Sequence, residues 1–531
     1  MKKHLILFFT LFISIFFSQI ISLDNAFGNG GYSGFRIQNN NLSSSVILPN
    51  GDFITGYSET SSADDYIYLR KTNQYGIIDN SYYGSFHLRG AINFKKLAIN
   101  NNKLIVLATY SIYPYNTRDI LFLRFNLDGT IDTSFGNNGY QLYSYDSTSS
   151  DIPIDIMFDD LGNSYVYSKY GPNTSSSGSD YFLIKINDSG LIDSSFGLNG
   201  RLYLYYYYSP DEAKSFKFLP KIFLQNDGKF LFAGAKKNLT TGNWESYIER
   251  KLQDGSNDKS FGNNGELIIP NSEHSLIKNF EYNYTDNSIL ILHEFDNINY
   301  PNDRIFITKI KISDGSLISN FGINGTTAQY IFSNAPRLVL EHIKTLSNSK
   351  ILVVGSVSDF YANPSINSEL FVMRFNSDGS IDYTTSSSGF HIFDTAPPNF
   401  SIRADYVINL FSLNSGSFVI GYSGYSSATG SYSYLTKFNG ATLGLVENNN
   451  QKNNSLIIFP NPSNNRIAVS NIFNTNENFD FKIFDFSGNI VYQGKSSFNK
   501  KINILDLKIG NYILSVETKN GEKYSEKIIK N

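Results

Sequence analysis

Five histidines lie beyond the N-terminal segment: His87, His274, His293, His342 and His391. Each stands singly, with no His-Glu-x-x-His pair to grip a metal, and neither a Gly-x-Ser-x-Gly elbow nor a glycine-rich phosphate loop occurs. Cysteine is absent, which removes thiolate metal sites, disulfides and a cysteine nucleophile. Adjacent carboxylates occur at Asp64-Asp65 and Asp159-Asp160. Two carboxyls across a glycosidic bond would do acid–base hydrolysis, but these sit in polar stretches that read as solvated loops. The run Tyr205 to Tyr208 and the sole tryptophan, Trp244, offer flat faces for sugar rings, although strand tyrosines more often pack against each other. No catalytic, cofactor-binding or metal-ligating set emerges, so the chain reads as a protein that is not an enzyme.

What must be positioned instead is a recurring string, Asp128-Gly129-Thr130-Ile131-Asp132-Thr133-Ser134-Phe135-Gly136-Asn137-Asn138-Gly139. It returns at Ser189 to Gly200, Asp254 to Gly265, Asp314 to Gly325 and Asp378 to Gly389, with a shortened copy from Tyr75 to Gly84. Half copies, Leu23 to Gly28 and Asn439-Gly440, sit at the two ends. The marker glycines Gly76, Gly129, Gly190, Gly255, Gly315, Gly379 and Gly440 are spaced by 53, 61, 65, 60, 64 and 61 residues, giving seven units. Asp-Gly and Asn-Gly supply the positive φ of tight turns. The lone aromatic, Phe135 or its equivalents Phe196, Phe261 and Phe321, plugs a polar loop into a core. The acidic positions suggest a calcium loop, but the Asp-x-Asp-x-Asp-Gly pattern is not met and turn formation accounts for them.

Each unit reads as four strands. A short Tyr-rich strand such as Tyr140 to Tyr145 follows the string, then an apolar hairpin such as Lys221 to Gly234, then an alternating strand such as Ile120 to Asn126. High Tyr and Phe content, only 17% charged residues and no sustained helical period point to an all-β chain. Four-stranded units near sixty residues predict a seven-bladed β-propeller closed on itself. A net charge of −3 and a pI near 6.1 give no basic footprint for nucleic acid. Residues 1–22, with Lys2 and Lys3 before the apolar run Leu5 to Phe17, have the layout of a secretory signal peptide cleaved between Ser18 and Leu23. The run is short for a bilayer span, and no membrane-crossing segment is expected after cleavage.

The hairpin Gln225 to Gly234 and the segment Phe125 to Gly139 resemble the delta-60 repeat of bacterial secreted proteins, over residues 23–440. Tyr82 in place of Phe and Thr385-Ser386 in place of Phe-Gly depart from that pattern. The resemblance implies a propeller with no established catalytic residues. Residues 441–454 are an Asn-rich linker, and 455–531 hold several short strands that predict a small immunoglobulin-like β-sandwich. This last segment resembles the C-terminal sorting domain of type IX secretion substrates of the Bacteroidota. The matching elements are Phe459-Pro460-Asn461-Pro462, Phe484-Asp485 to Gly488, a Leu505-Asp506-Leu507 strand, Gly510-Asn511-Tyr512 and a terminal strand carrying Lys527. The resemblance implies the secretion machinery as partner and a secreted or outer-membrane cell-surface location. A binding propeller with a glycan or protein ligand is the expected function; a polysaccharide-acting enzyme and a structural matrix protein are the alternatives.

Overall fold

The structure is a computed structural model. It describes residues 21–530 apart from 38–42, 61–63, 113–116, 146–148, 172–179, 205–220, 239, 274, 284–285, 296–303, 329, 332–336, 359–368, 385–388, 394–402, 427–429, 441–455, 460–462, 464, 472–477, 486–487, 499 and 520–522. The chain divides into two compact units, Met1–Leu443 and Gly444–Asn531. Residues 1–20 of the signal segment, the linker, Tyr205 to Tyr208 and His274 lie outside the described residues.

The second sheet shows how the repeat builds a blade. Ala91–Asn100 and Lys103–Ser111 form a hairpin, Asp119–Asn126 adds a third strand and Tyr140–Tyr143 a fourth, all antiparallel. The second strand is apolar at almost every position, Leu104 through Ala108 being buried, because both of its faces are covered by neighbouring sheets. Six further sheets of the same antiparallel order occupy this unit. The string lies between the third and fourth strands of one blade. It is therefore an internal turn of the blade, and the unit as phased in the sequence is shifted by one strand.

The innermost strands run in order as Ser43–Ile47, Ala91–Asn100, Ser150–Phe158, Lys221–Leu224, Ser275–Asn283, Arg337–Thr345 and Arg403–Ser412. Each touches the next, and the last touches the first, so the seven sheets close into a ring. The seventh sheet takes its outer edge from the start of the chain: Ser22–Leu23 and Tyr32–Ile37 both pair with Gly430–Asn439. This joins the two half strings. Asp24 meets Lys437 at 2.9 Å as Asp132 meets Arg124 at 2.8 Å, and Phe27 is buried like Phe135. Ile21 is also buried, in the core that the seventh sheet shares with the sixth, so the folded unit begins before Leu23.

Adjacent blades are clasped by the string. The amide after four of the plug phenylalanines donates to a carbonyl in the next blade's turn: Gly28 to Tyr75 (2.7 Å), Gly136 to Ser189 (3.0 Å), Gly262 to Asp314 (2.8 Å) and Gly322 to Asp378 (2.6 Å). The turn glycine that follows packs on the same ring, and a Cβ at Gly315 would stand 2.9 Å from Phe261. Close approach, as well as a φ of 78°, requires glycine there.

The second unit holds a three-stranded and a four-stranded sheet that share one apolar core including Val469, Ile483, Leu514, Val516 and Ile528. Residues 505–507 form a turn, contrary to the expected strand, because the Asn503 side chain accepts the Leu505 amide at 3.1 Å and bends the chain after Lys501–Asn503. One short 3₁₀ turn, Asn414–Gly416, is the sole helical element among the described residues, and no helix there is long and apolar enough to cross a membrane.

Candidate functional site

The acidic positions of the string are occupied by the fold itself. Asp132 receives Arg124 at 2.8 Å and Lys103 at 3.0 Å through one oxygen, and Ser134 at 2.6 Å through the other. Burial would raise its carboxyl, but Ser134, Lys103 and Arg124 together hold it well below the usual carboxylate range. Arg124 in turn lies 4.7 Å over the Phe135 ring, and Arg250 repeats this over Phe261 at 4.7 Å. Asp128 binds Thr130 of its own turn. Asp159 likewise caps a hairpin through Leu161 and Asn163, whereas Asp65 is buried and accepts the Ile92 amide at 2.8 Å, which places it in the wall of the first sheet and not in a solvated loop. Trp244 opens a strand opposite Lys237. His87 pairs with Asp64 at 3.3 Å, and His391 stacks on Phe393. His293 is fully buried, bonded to Ser246 at 2.9 Å and stacked on Phe306 at 4.2 Å, and burial lowers it to about 3.

Chemistry that no motif announced is gathered on the inner ring. Lys96, Asp155, Lys221, Asn279, His342 and Asn409 occupy one level of six inner strands, each opposite the equivalent residue of its hairpin partner. Several reach to the neighbouring blade. Lys96 pairs with Asp155, Asn279 donates to the Glu341 carbonyl at 2.7 Å, and Asn409 accepts the Ser45 amide at 2.7 Å. A β-bulge at this level in five of the strands sets an extra residue beside the belt: Lys95, Ile154, Lys278, Glu341 and Ile408. Such bulges re-aim side chains. Lys278 meets Glu294 at 3.3 Å, and Glu341 accepts the Val407 amide at 2.6 Å.

The ring alters the ionisation of these groups because water reaches them while protein encloses most sides. Burial raises the Glu341 carboxyl to about 8, although the Val407 amide and the lysines Lys278 and Lys221 oppose it. Burial lowers Lys221, with Asp155 and Glu341 opposing and Lys96 and Lys278 reinforcing. Lys95 is lowered by burial and by Arg118, and His342 falls to about 4 through burial and Lys221. Lys221 of the fourth sheet thus senses charges from the second, third, fifth and sixth, which locates the cluster at the centre of the ring. The sequence concealed this cluster, since one repeat position carries Lys, Asp, Lys, Asn, His and Asn in successive blades.

Closed rings of four-stranded antiparallel sheets define the β-propellers, and residues 100–135 and 346–384 match a β-propeller family described as a domain of unknown function, DUF5122. Residues 457–531 match the secretion system C-terminal sorting domain. The chain is a β-propeller protein with a type IX secretion sorting domain, and that domain directs export to the cell surface or the medium. No curated protein matches the sequence. Similar solved structures include the polysaccharide lyase Uly1 (11% identity, 78% of this chain and 91% of that chain, TM-score 0.41). Others are the α-L-arabinofuranosidase arb93a of Fusarium graminearum (9%, 79% and 97%, 0.36) and the β-propeller domain of the Trilobed protease of Pyrococcus furiosus (6%, 75% and 93%, 0.36). At these identities the likeness is one of fold.

The expectation that the chain is not an enzyme is withdrawn: the solved structures similar to it include a polysaccharide lyase and an α-L-arabinofuranosidase. Of the sorting residues, Pro460, Asn461 and Pro462 lie outside the described residues. Asp485 and Gly488 close a turn, the Gly488 amide donating to the Asp485 carbonyl at 3.0 Å. Gly510 opens the strand Gly510–Thr518, the Tyr512 hydroxyl donates to the Lys508 carbonyl at 2.7 Å, and Lys527 pairs with Ile513.

Proposed function

We propose that the propeller is an extracellular binding protein that holds an acidic glycan at its inner ring, and that residues 455–531, through elements such as Asp485, Gly488, Gly510, Tyr512 and Lys527, are read by the secretion machinery. The observation that carries the binding reading is the charge of the ring. Lys95, Lys96, Lys221 and Lys278 stand against Asp155, Glu294 and a Glu341 that burial keeps protonated up to about pH 8. Among the described residues Lys95 and Lys221 form no direct ion pair, Lys221 sensing Asp155 and Glu341 only at a distance, and an ammonium with no carboxylate in contact favours an anion. Titration of the full chain with polygalacturonate and with alginate is expected to show salt-sensitive binding, weakened roughly tenfold by Lys221→Gln. Binding indifferent to that substitution, or none, refutes the reading.

A second reading, a polysaccharide-acting enzyme, is favoured by one further observation. Glu341 is raised and Lys221 lowered, the directions that suit one to donate and the other to accept a proton, and both belong to the same ring. The same polymers incubated with the chain would then yield shortened products, and Glu341→Gln would stop their appearance while leaving binding in place.

A further inference from the structure

The repeat keeps one ion-pair arrangement in most blades and departs from it in the first, where Lys71 pairs with Asp52 at 3.0 Å, and in the fifth, where the string aspartate itself is lost. In the second, third, fourth and sixth sheets a strand cation meets the second aspartate of the string: Arg124 with Asp132, Lys185 with Asp193, Arg250 with Asp258 and Arg374 with Asp382. A hairpin lysine joins three of these pairs, Lys103, Lys229 and Lys350. In the fifth sheet the aspartate is replaced by Ile318 and the hairpin lysine by Ser288. Lys309 turns away to Asp286 at 2.6 Å. The turn is also one residue longer there, so the Gly315 amide reaches back to Lys311 where Gly129 reaches only to Asn126.

A cleft of about 860 Å³ opens at this place, between turns of the fourth, fifth and sixth sheets. The fifth blade's departures line it: Ile318, Lys309, Asp286 and the lengthened turn at Ile312-Ser313. Its volume falls in the range of about 300–1,000 Å³ typical of small-ligand sites. One wall is aromatic, with the half-buried rings of Phe223 and Tyr282 5.5 Å apart. Gln225 lies beneath, 7% exposed, and its side-chain oxygen has no hydrogen-bond partner. A buried acceptor without a donor costs about 1–3 kcal/mol until something supplies one. Around it stand further acceptors, Asp227, Asn287 and Asp378; of the two lysines in the lining, Lys309 is matched by Asp286 and Lys311 lies at the start of the lengthened turn.

We infer that this cleft binds a neutral saccharide, whose hydroxyls donate to Gln225 and the surrounding carboxylates and amides while its C–H face lies on Phe223 and Tyr282. The acceptor-rich lining disfavours an anion, and the aromatic wall disfavours a small cation. The site is separate from the inner ring and does not depend on the charge there.

The full chain is titrated by calorimetry with neutral hexasaccharides of glucose, mannose, galactose, xylose and arabinose, and with hexagalacturonate. At least one neutral hexasaccharide is expected to bind, with roughly tenfold loss in Gln225→Leu, the worth of one neutral hydrogen bond. The paired substitution Ser288→Lys and Ile318→Asp rebuilds the arrangement of the neighbouring blades and should close the cleft. It is expected to abolish neutral-sugar binding while the melting temperature holds or rises, so loss of fold and loss of site are told apart. Lys221→Gln in the inner ring should leave this binding unchanged. Failure of every neutral sugar to bind, binding that survives the paired substitution, or binding lost equally in Lys221→Gln overturns the assignment.

Discussion

Arg124 is shared between two blades, its Nε bonded to Asp132 of its own string and its Nη1 to Asp188 of the next blade at 2.8 Å. Breaking a buried pair leaves an uncompensated charge and costs about 3–5 kcal/mol. Because Asp188 remains, Asp132→Asn is expected to cost about 2–4 kcal/mol at pH 7, measured by chemical denaturation. The pH dependence has a definite sign. The Asp132 carboxyl is held below its ordinary value of 3.8, so its contribution is fully present above that pH and is lost as the pH falls through the lowered value. The gap between wild type and Asp132→Asn should therefore be constant above about pH 5 and narrow in stronger acid. A gap that widened on acidification would show that the aspartate acts by some route other than its charge.

At the scale of strands and turns, the clasp between blades predicts unequal tolerance among glycines that share a positive φ. Gly30, with φ 65°, has nothing within 4 Å of an added Cβ, whereas Gly315, with φ 78°, has the Phe261 ring at 2.9 Å. Gly30→Ala should cost about 1 kcal/mol, the strain of the left-handed region alone, and Gly315→Ala about 2 kcal/mol or more, because the plug ring must also move. Thermal unfolding of the two variants checks this; equal losses would mean that the ring gives way freely. The turns, the plug phenylalanines and the hairpins were legible because each is local, a few residues whose chemistry dictates their conformation. The phase of the unit was not, since a turn inside a blade and a turn between blades use the same Asp-Gly signal. The belt was hidden for a different reason: Lys96, Asp155, Lys221 and His342 approach one another only once the blades from the second to the sixth have closed around a centre. The cleft left a trace, the substitution of Ile318 for aspartate in an otherwise regular string, but the sequence cannot distinguish a lapse in a repeat from an opening in a surface.

For the whole molecule, the sorting domain matched at residues 457–531 sets the expected path. Deleting Ser455 to Asn531 should leave a folded propeller inside the cell envelope, and fusing that segment to a periplasmic reporter should carry the reporter outward. Fractionation with an antibody to the propeller reads both, and unchanged surface or medium levels of the truncated chain would remove the sorting role. The ring is sealed by strands drawn from opposite ends of its unit: the Asn439 side chain reaches the Leu23 carbonyl across 416 positions. Bringing such distant points together costs on the order of 5 kcal/mol in chain entropy. The first strand to emerge must therefore wait, unpaired, for nearly the last. Until Gly430–Asn439 arrives, the seventh sheet is only the hairpin of Arg403–Ser412 and Phe418–Ser426, and the ring presents raw edges to any neighbouring chain. The seam thus acts as a check on completeness: only a propeller that has been made to its end can hide its edges, and it does so just before the residues that address it for export.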